Sequence, residues 1–508
     1  MAEHIQTRIE TTHGTLSGSS HRGVHVFRGI PFAAPPVGSL RFRPPQPLAP
    51  WTGVREAISF GPMAPQPASA LEAIAGSVAL GQSEDCLTLN VWSPGCDGAK
   101  RPVMVWIHGG AFTTGTAATP WYSGTTTALH GDVVVVTTNY RLGALGFTHL
   151  ADLGGEAWGS SANCGILDQI AALTWVRENI TAFGGDPGNV TIYGESAGGC
   201  SVATLLATPA AKGLFHKAIV QSASFAQVRT RDAATERAEL LLDDIGVGRT
   251  QLDRLADVPI DVLLAAQSRL SARRSPTFNG ADMQAFSPTP DGISLLDEPI
   301  AAVAAGSAAD VPVIIGTNQD EIKLFAVWDA ALATIDRDTA IRRLRRMIGD
   351  DAGRVFDAYA ASRPGTPASE ISMAIATDRT FRLDAIAMAD AQHAAGAPTY
   401  MYLFTWQSPA LDGRLGSCHA LEIPFVFDNV HQPGVELITG GGDDRAPLAR
   451  LMNTTWTTFA RTGSPDNATL PSAWPTYDPA RRPTMVFDDQ VRVVADPLAS
   501  DRRAWSPD

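Results

Sequence analysis

One short stretch has the residue types and the spacing of a nucleophilic serine. Residues 194–198 read Gly-Glu-Ser-Ala-Gly, after an alternating apolar run at 190–193 and before a run at 201–206 that is typical of a helix. A serine on a sharp turn between strand and helix projects its hydroxyl clear of the backbone, and the glycines let the two elements approach closely. The first N–H groups of the helix point toward developing negative charge. The pattern predicts that Ser196 attacks a carbonyl carbon; the alternative is an ordinary glycine-rich turn.

Such a serine needs hydrogen-bond donors for the oxyanion of an acyl-transfer transition state. A nearly continuous apolar run at 102–108 is typical of a buried strand and ends in His-Gly-Gly. Each preorganised N–H donor contributes about 3–4 kcal/mol to the stabilisation of such a transition state. We predict an oxyanion hole formed by the N–H groups of Gly109, Gly110 and Ala197. His108 is expected to be structural, and a plain turn after a strand is the alternative interpretation of this loop.

A base and an acid should follow the serine, because the chain order in this strand-turn-helix arrangement is serine, acid, histidine. Of eleven histidines, only His419 and His431 follow the last long predicted strand, at 399–406. His419 lies in a loop just after that strand, with apolar residues behind it, whereas His431 has the surroundings of a polar surface turn. We therefore predict that His419 is the general base.

The residues alone do not single out the acid. A predicted strand at 311–315 is followed by a loop that contains Asp320 and Glu321. A carboxylate there can orient the imidazole and stabilise its cation. On local grounds both acids are candidates, whereas Asp291, between Pro and Gly, has the pattern of a turn residue.

Strands and helices alternate along the chain around these residues. Glycines separate short strands within 5–30, which predicts an N-terminal β-meander, and apolar residues at helical spacing indicate a helix at 166–180. Further strands are predicted at 87–92, 132–139, 190–193, 214–224, 311–318 and 399–406. This alternation predicts an α/β fold with a mostly parallel, twisted sheet covered by helices on both faces.

Two long charged stretches, roughly 230–275 and 327–396, are expected to be helical insertions that form a cap over the site. No repeat or loose linker divides the chain, so residues 1–508 are expected to form a single catalytic domain. The shape of the substrate pocket is expected to depend on how the second insertion converges with aromatic residues, namely Phe112, Trp121, Tyr122, Phe225 and Phe286.

Composition narrows the classes of partner. A net charge of −13 argues against nucleic acid and anionic membrane surfaces. Five cysteines without a Cys-x-x-Cys pair suggest reduced thiols and no cysteine metal site. No secretory signal and no run of the length of a spanning helix is visible, so we expect a cytoplasmic protein with no membrane partner. The sequence indicates no particular oligomeric state.

Taken together, these motifs resemble those of type-B carboxylesterases, the cholinesterase-like branch of the α/β-hydrolases, and particularly the bacterial para-nitrobenzyl-esterase-like members. The matching segments run nearly end to end and include FRGIPFAAPPVGSLRF (27–42), SEDCLTLNVW (83–92), WIHGGAF (106–112), NYRLGALGF (139–147), NCGILDQIAALTWVRENITAFGGDPGNVTIYGESAGG (163–199), LFHKAIVQS (214–222), GTNQDEIKLF (316–325), CHALEIPFVF (418–427) and WTTFARTGSP (456–465).

The resemblance implies a serine carboxylic-ester hydrolase that works through an acyl-enzyme, needs no metal or organic cofactor and takes a small-molecule ester. It implies Ser196 as nucleophile, His419 as base and, between the two candidate acids, Glu321. It also implies that Ser222 supports the triad and that two further residues, Glu84 and Arg141, form a structural ion pair.

The chain departs from the family pattern in two places. Extracellular relatives usually pair the cysteine of Glu-Asp-Cys-Leu with one upstream; that position is Ala64 here, so Cys86 is expected to be a free thiol. Cholinesterases carry a choline-binding tryptophan before the same motif, but residues 64–85 contain none, so choline esters are not expected as main substrates. Two other functions are alternatives: the same triad acting on carbamates or amides, and a non-catalytic binding protein, which the intact Ser-Glu-His set disfavours.

Overall fold

The structure is a computed structural model that describes residues 5–21, 23–69, 80–273, 285–327, 329, 331–332 and 334–506. Parts of three stretches discussed above lie outside the described residues. They are residues 70–79 of the stretch 64–85, residues 274–275 of the first expected insertion, and residues 328, 330 and 333 of the second.

One large mixed sheet runs through the molecule. Its strands are β1 Ile5–Thr11, β2 Gly14–His21, β3 Val24–Pro31, β4 Val54–Glu56, β5 Thr88–Ser93, β6 Arg101–Ile107, β7 Val134–Thr138, β8 Gly185–Glu195, β9 Lys217–Gln221, β10 Val313–Asn318, β11 Thr399–Phe404, β12 Pro483–Phe487 and β13 Arg492–Ala495. The order is β1-β2-β3-β5-β7-β6-β8-β9-β10-β11-β12-β13, with β4 beside β2. The central strands, from β7 to β12 in this order, are parallel, and antiparallel pairs extend the sheet at both ends. The expected α/β fold and N-terminal meander are therefore present.

Helices cover both faces of this sheet. They are α1 Thr125–Gly131, α2 Gly143–Phe147, α3 Ala151–Gly154, α4 Cys164–Asn179, α5 Ala197–Ala207, α6 Arg231–Ile245, α7 Ile260–Arg273, α8 Pro299–Ala304, α9 Lys323–Ala326, α10 Arg337–Ile348, α11 Ala352–Ser362, α12 Ala368–Thr377, α13 Leu383–Ala394, α14 Ile423–Val426, α15 Glu436–Thr439, α16 Ala446–Thr462 and α17 Ala499–Arg503. A π-helical turn, Asp378–Arg382, joins α12 to α13. Within the described residues, no helix combines the length and apolar character needed to cross a bilayer.

Burial on both faces explains the continuous apolar runs of the central strands. Along β6, the side chains of Val103, Val105 and Ile107 enter one core cluster, whereas Met104 and Trp106 enter the cluster on the opposite face. Successive side chains of a strand point to opposite faces, so a strand covered on both sides needs apolar residues at every position.

The sheet topology brings residues that are distant in sequence to one edge. Strand β8 ends immediately before Ser196, and its neighbour β6 ends at Ile107, which pairs with Gly194. The next parallel strands, β10 and β11, lead into the loops that carry Glu321 and His419. The carboxyl ends of parallel strands meet at the same edge of a sheet, so all of these loops converge there.

The two predicted insertions are largely helical in the described residues. Helices α10, α11 and α12 of the second insertion pack around a common cluster that includes Leu344, Phe356 and Ile375. Helices α6 and α7 of the first insertion pack instead on a different cluster, which includes Leu145 and Trp158.

The predicted ion pair between Glu84 and Arg141 is wrong. Glu84 pairs with Arg41, with 2.6 Å between Oε1 and Nη2. Arg141 pairs with Asp168 on α4, whose carboxylate accepts from the backbone N–H at 3.0 Å, from Nε at 2.8 Å and from Nη2 at 2.7 Å. Because Asp168 takes up both the guanidinium and the backbone N–H of Arg141, that side chain is held away from Glu84.

Removing one partner of this pair should destabilise the protein strongly. Both side chains are almost fully buried, so Asp168→Asn leaves the guanidinium of Arg141 without its counter-charge. We expect the free energy of unfolding to fall by about 3 kcal/mol, as measured by urea denaturation. The matched control is Asp357→Asn, which breaks the exposed pair with Arg337 and should cost less than about 1 kcal/mol. Equal losses in the two variants would contradict the prediction.

Candidate active site

Ser196 lies on a strained turn between β8 and α5. Its φ of 59° and ψ of −122° are a conformation that residues other than glycine rarely adopt, at a cost of about 1–3 kcal/mol. The neighbouring glycines are required by space: a Cβ on Gly198 would lie 2.0 Å from the carbonyl oxygen of Ile107, and one on Gly194 would lie 2.6 Å from the carbonyl carbon of Gly198. The glycines therefore allow the strand and the helix to approach closely at this turn, as their positions in the sequence predicted.

The imidazole of His419 is held by Glu321. Nδ1 of His419 lies 2.5 Å from Oε2 of Glu321, and both side chains are buried. The other carboxylate oxygen of Glu321 accepts from the hydroxyl of Ser222 at 2.6 Å and from the backbone N–H of Asn318 at 2.7 Å. A histidine whose Nδ1–H is donated to a carboxylate has Nε2 free to accept a proton.

Asp320, the other candidate acid, serves the same loop in a different way. Its carboxylate accepts from the backbone N–H of Ser417 at 3.0 Å and lies 3.4 Å from the ammonium of Lys323. Of the two adjacent acids, the structure brings only Glu321 within hydrogen-bond distance of the imidazole.

On its other side, the imidazole faces a second carboxylate that the sequence reasoning did not assign. Nε2 of His419 lies 3.0 Å from Oε1 of Glu195, the residue just before the serine. Among the described residues, the hydroxyl of Ser196 makes no hydrogen bond, although Ser196 and His419 line the same cavity. Glu195 occupies the x position of the Gly-x-Ser pattern, directly before the predicted nucleophile. That position in the sequence is the signal that could have pointed to Glu195.

A third buried carboxylate, Glu422, completes an ionisable cluster behind the site. Its two oxygens accept from the side-chain amides of Gln221 at 3.0 Å and Asn318 at 2.6 Å. Burial raises the pKa of Glu422, and burial raises the pKa of Glu195 well above its ordinary range. Burial alone would lower the pKa of His419, but the carboxylates of Glu195 and Glu321 outweigh it and raise the pKa to about 9. The cluster therefore retains a proton to higher pH than isolated groups would.

The glycine loop after β6 lies directly against the serine. A Cβ on Gly109 would be 3.2 Å from Cβ of Ser196, and the φ of Gly110 is 106°. No acceptor within the described residues is recorded for the N–H groups of Gly109 and Gly110. Ala197 is the first residue of α5, where a helix has no internal acceptor for its N–H. Gly109 and Gly110 line the same cavity as Ser196, and Ala197 follows the serine directly.

His108 has the structural surroundings that were expected. Its Nδ1 lies 2.8 Å from the carbonyl oxygen of Gly109, and its ring stacks on Tyr140 with 4.6 Å between centroids. The hydroxyl of Tyr140 donates to the carbonyl oxygen of His108 at 2.9 Å. Burial lowers the pKa of His108 to about 4, so the ring is neutral and holds the loop in shape.

A cavity of about 270 Å³ opens in front of the serine. It is lined by Ser69, Gly109, Gly110, Ala111, Thr113, Thr114, Trp121, Tyr122, Glu195, Ser196, Gln227, Phe325, Thr380, Phe381, His419, Ala420 and Ile423. Trp121 and Tyr122 thus lie where a substrate contact was expected. The second insertion contributes Thr380 and Phe381, whereas no described residue of the first insertion is among the lining residues.

Phe112 is not at the cavity, contrary to expectation. It has a φ of 53°, is fully buried and packs on Phe147 with 5.0 Å between ring centroids. Phe225 and Phe286 are likewise absent from the lining and belong to the core packing instead. Two aromatic residues that were not predicted, Phe325 and Phe381, lie next to the imidazole of His419. Their ring centroids are 5.1 and 4.8 Å from that of the imidazole.

A mixed sheet flanked by helices, with a strained serine after β8 and a histidine–glutamate pair at the same edge, defines an α/β-hydrolase fold. The chain belongs to the carboxylesterase family, whose model matches residues 5–505. It is thus a carboxylic-ester hydrolase by family.

Individual relatives agree with this assignment. The chain is 40% identical over 503 residues to the para-nitrobenzyl esterase of Bacillus subtilis (strain 168), covering 98% of both chains. It is 38% identical over 501 residues to the phenmedipham hydrolase of Pseudarthrobacter oxydans, covering 96% of both. The crystal structure of a carboxylesterase of Geobacillus stearothermophilus superposes with a TM-score of 0.88 at 43% identity, covering 98% of this chain and 100% of that one.

Proposed function

We propose that this protein hydrolyses uncharged carboxylic esters with Ser196 as nucleophile, His419 as general base and acid, and Glu321 as the carboxylate that orients the histidine. The observation that carries the proposal is the imidazole of His419, bonded to Glu321 at 2.5 Å and lining one cavity with Ser196. The hydrogen bonds from Ser222 and Asn318 support it, because they hold the Glu321 carboxylate in place.

The reaction proceeds in two halves. As the hydroxyl oxygen of Ser196 bonds to the ester carbonyl carbon, its proton passes to Nε2 of His419 and the carbonyl oxygen becomes an oxyanion. The N–H groups of Gly109, Gly110 and Ala197 stabilise that charge. The C–O bond to the alcohol then breaks, and the alcohol leaves with the proton from His419. Water repeats the sequence on the acyl-enzyme and releases the carboxylic acid and the free serine.

The imidazole has to turn its Nε2 from Glu195 to the serine before attack. In the structure Nε2 lies 3.0 Å from Oε1 of Glu195, and the hydroxyl of Ser196 has no hydrogen-bond partner among the described residues. Catalytic hydrogen bonds are often long in the absence of substrate and tighten when it binds. Glu195 then acts at a distance, by stabilising the imidazolium that forms when the serine proton is taken up.

The cavity favours neutral substrates. Its wall is largely apolar and aromatic, and its described lining includes no lysine or arginine that could pair with a carboxylate. Among the described lining residues, the one carboxylate is that of Glu195, which faces His419. Uncharged aryl and alkyl esters of modest size fit a space of about 270 Å³.

Replacement of the nucleophile should abolish the reaction. We expect Ser196→Ala to lower the kcat for an aryl ester by about 10⁶-fold and to prevent covalent labelling by a fluorophosphonate, detected by mass spectrometry. The matched control is Ser201→Ala on α5. Ser201 is a buried serine that accepts from Gln169 at 3.0 Å, and its alanine variant should retain both turnover of the aryl ester and labelling by the fluorophosphonate. Normal turnover by Ser196→Ala would refute the triad.

Removal of the charge of Glu195 should move the pH profile to lower pH. The base acts only when His419 is neutral, and the flanking carboxylates raise its pKa to about 9, so activity should rise with pH through that value. Glu195→Gln removes one of these carboxylates, and we expect the acid limb of kcat/KM to move down by about 1 unit or more. Glu370→Gln, which alters a carboxylate paired with Lys323 outside the cavity lining, is the control and should leave the limb in place. A limb that stays in place in Glu195→Gln would contradict this role.

Carbamates are a second candidate class, favoured by Gln227. This residue lines the cavity, is 8% exposed, and has a buried Oε1 with no hydrogen-bond partner in the part of the chain that the structure describes. An unsatisfied buried acceptor costs about 1–3 kcal/mol, which the N–H of a bound carbamate would recover. The two ends of the carboxamide exchange on a half-turn, so either can face the cavity. The similarity to a phenmedipham hydrolase supports the same class.

Two isosteric substrates distinguish recognition of the carbamate N–H by Gln227 from hydrolysis of esters alone. Phenyl butanoate and phenyl N-ethylcarbamate differ only in a CH₂ or N–H beside the carbonyl. We expect Gln227→Leu to lower kcat/KM for the carbamate about tenfold relative to the ester, as measured by phenol release. Thr380→Val, another change in the lining, should affect both substrates equally. Equal losses for both substrates in Gln227→Leu would refute a role for Gln227 in reading the N–H.

A further inference from the structure

The buried side chain of Gln66 joins the loop before β5 to the glycine loop. This residue is 6% exposed, and its carboxamide spans the gap between the two loops. Oε1 accepts from the backbone N–H of Gly115 at 2.8 Å, and Nε2 donates to the carbonyl oxygen of the same residue at 2.9 Å. Nε2 also donates to the carbonyl oxygen of Ala64 at 3.0 Å. The carboxamide of Gln66 thus makes three hydrogen bonds to backbone groups, and two of them are to Gly115.

Gly115 is the point at which the glycine loop folds back on itself. Its φ is 116°, and a Cβ there would lie 2.4 Å from Nδ1 of His108 and 2.6 Å from the carbonyl oxygen of Gly109. The N–H groups of Thr113 and Thr114 donate to the carbonyl oxygen of Gly110 at 3.0 and 2.9 Å. Residues 109–115 therefore form one closed turn, and a shift of Gly115 moves the peptide groups of Gly109 and Gly110 with it.

The side of the loop that carries Gln66 is fixed by noncovalent contacts. The backbone N–H of Gln66 donates to Oε1 of Gln82 at 3.0 Å, and Met63 pairs with the backbone of Gly81 and Ser83 at 3.0 Å. Cys86 is a buried free thiol, and Ala64 offers it no partner. Among the described residues no covalent bridge holds this loop, and several hydrogen bonds share in fixing the position of Gln66, of which the one from Gln82 is only one.

We propose that Gln66 is a positioning residue for the oxyanion hole: its carboxamide holds Gly115, and through it the N–H groups of Gly109 and Gly110, where the oxyanion of the transition state forms. The inference rests on the proposed function, because it assumes that these N–H groups stabilise an oxyanion formed by Ser196. Preorganised donors contribute to catalysis only when they are held at the place where the charge develops. Gln66 touches neither substrate nor reacting atoms and acts through the loop alone.

Two ketone probes separate this role from a general loss of structure. An aryl trifluoromethyl ketone adds to the serine and carries an oxyanion, whereas the matching methyl ketone occupies the cavity without that charge. For Gln66→Leu we expect kcat/KM for an aryl ester to fall about 10- to 100-fold. The affinity for the trifluoromethyl ketone should fall by the same factor, with the affinity for the methyl ketone unchanged.

Gln82→Leu is the matched control, because it removes a contact to the backbone of Gln66 but none to the glycine loop. It should leave the affinity for the trifluoromethyl ketone in place. Gln66→Glu keeps the acceptor for the N–H of Gly115 and loses the donor to its carbonyl, so it should show the same selective loss if Gln66→Leu does not fold. Unchanged kcat/KM in folded Gln66→Leu or Gln66→Glu, or equal losses for the two ketones, would overturn the proposal. Activity that survives Ser196→Ala would refute the triad instead, so the two failures are distinguishable.

Discussion

The site depends on how closely β6, β8 and α5 approach one another. There is no room for a side chain at Gly198, where a Cβ would come within 2.0 Å of the carbonyl oxygen of Ile107, and very little at Gly194. This contact forces the chain to turn within one residue, which accounts for the φ of 59° at Ser196. The same contact places Gly109 against the serine, because β6 is the direct neighbour of β8. The strain at the serine is therefore maintained by the packing of the sheet edge, and the donor loop comes with it.

The second constraint is that the buried carboxylates around the histidine need hydrogen-bond donors. The chain supplies more donors to some of these carboxylates than to others. Neutral donors, namely a serine hydroxyl, a backbone N–H and two side-chain amides, satisfy the carboxylates of Glu321 and Glu422. A buried carboxylate with such donors is better tolerated than one without them. Glu195 has fewer partners and faces the imidazole of His419. The site thus combines two carboxylates held by neutral donors with one carboxylate that faces the imidazole.

Much of this could be predicted from the sequence because the strong signals are local. Continuous apolar runs predicted the central strands, and glycine spacing predicted the turn at Ser196. The last two strands, β12 and β13, were not predicted, since both are short and β13 is half exposed. Local pattern also left Asp320 and Glu321 open, because the decision depends on which backbone groups the loop of His419 presents to each carboxylate. Residue spacing gives no access to such contacts between loops.

The walls of the cavity were harder to predict than the residues that act in it, and the reason is geometric. Phe112 was expected at the substrate, but its positive φ turns the ring into the core. Phe381 lies in a π-helical turn, where helical spacing no longer tells which way a side chain points. The residues proposed to act lie in turns and loops that follow strands, and the order of those strands determines where these loops meet. The wall of the cavity, in contrast, belongs to segments whose local conformation departs from regular helices and strands. Changes in those segments can therefore alter the choice of substrate while the serine, the histidine and the glycine loop stay in place.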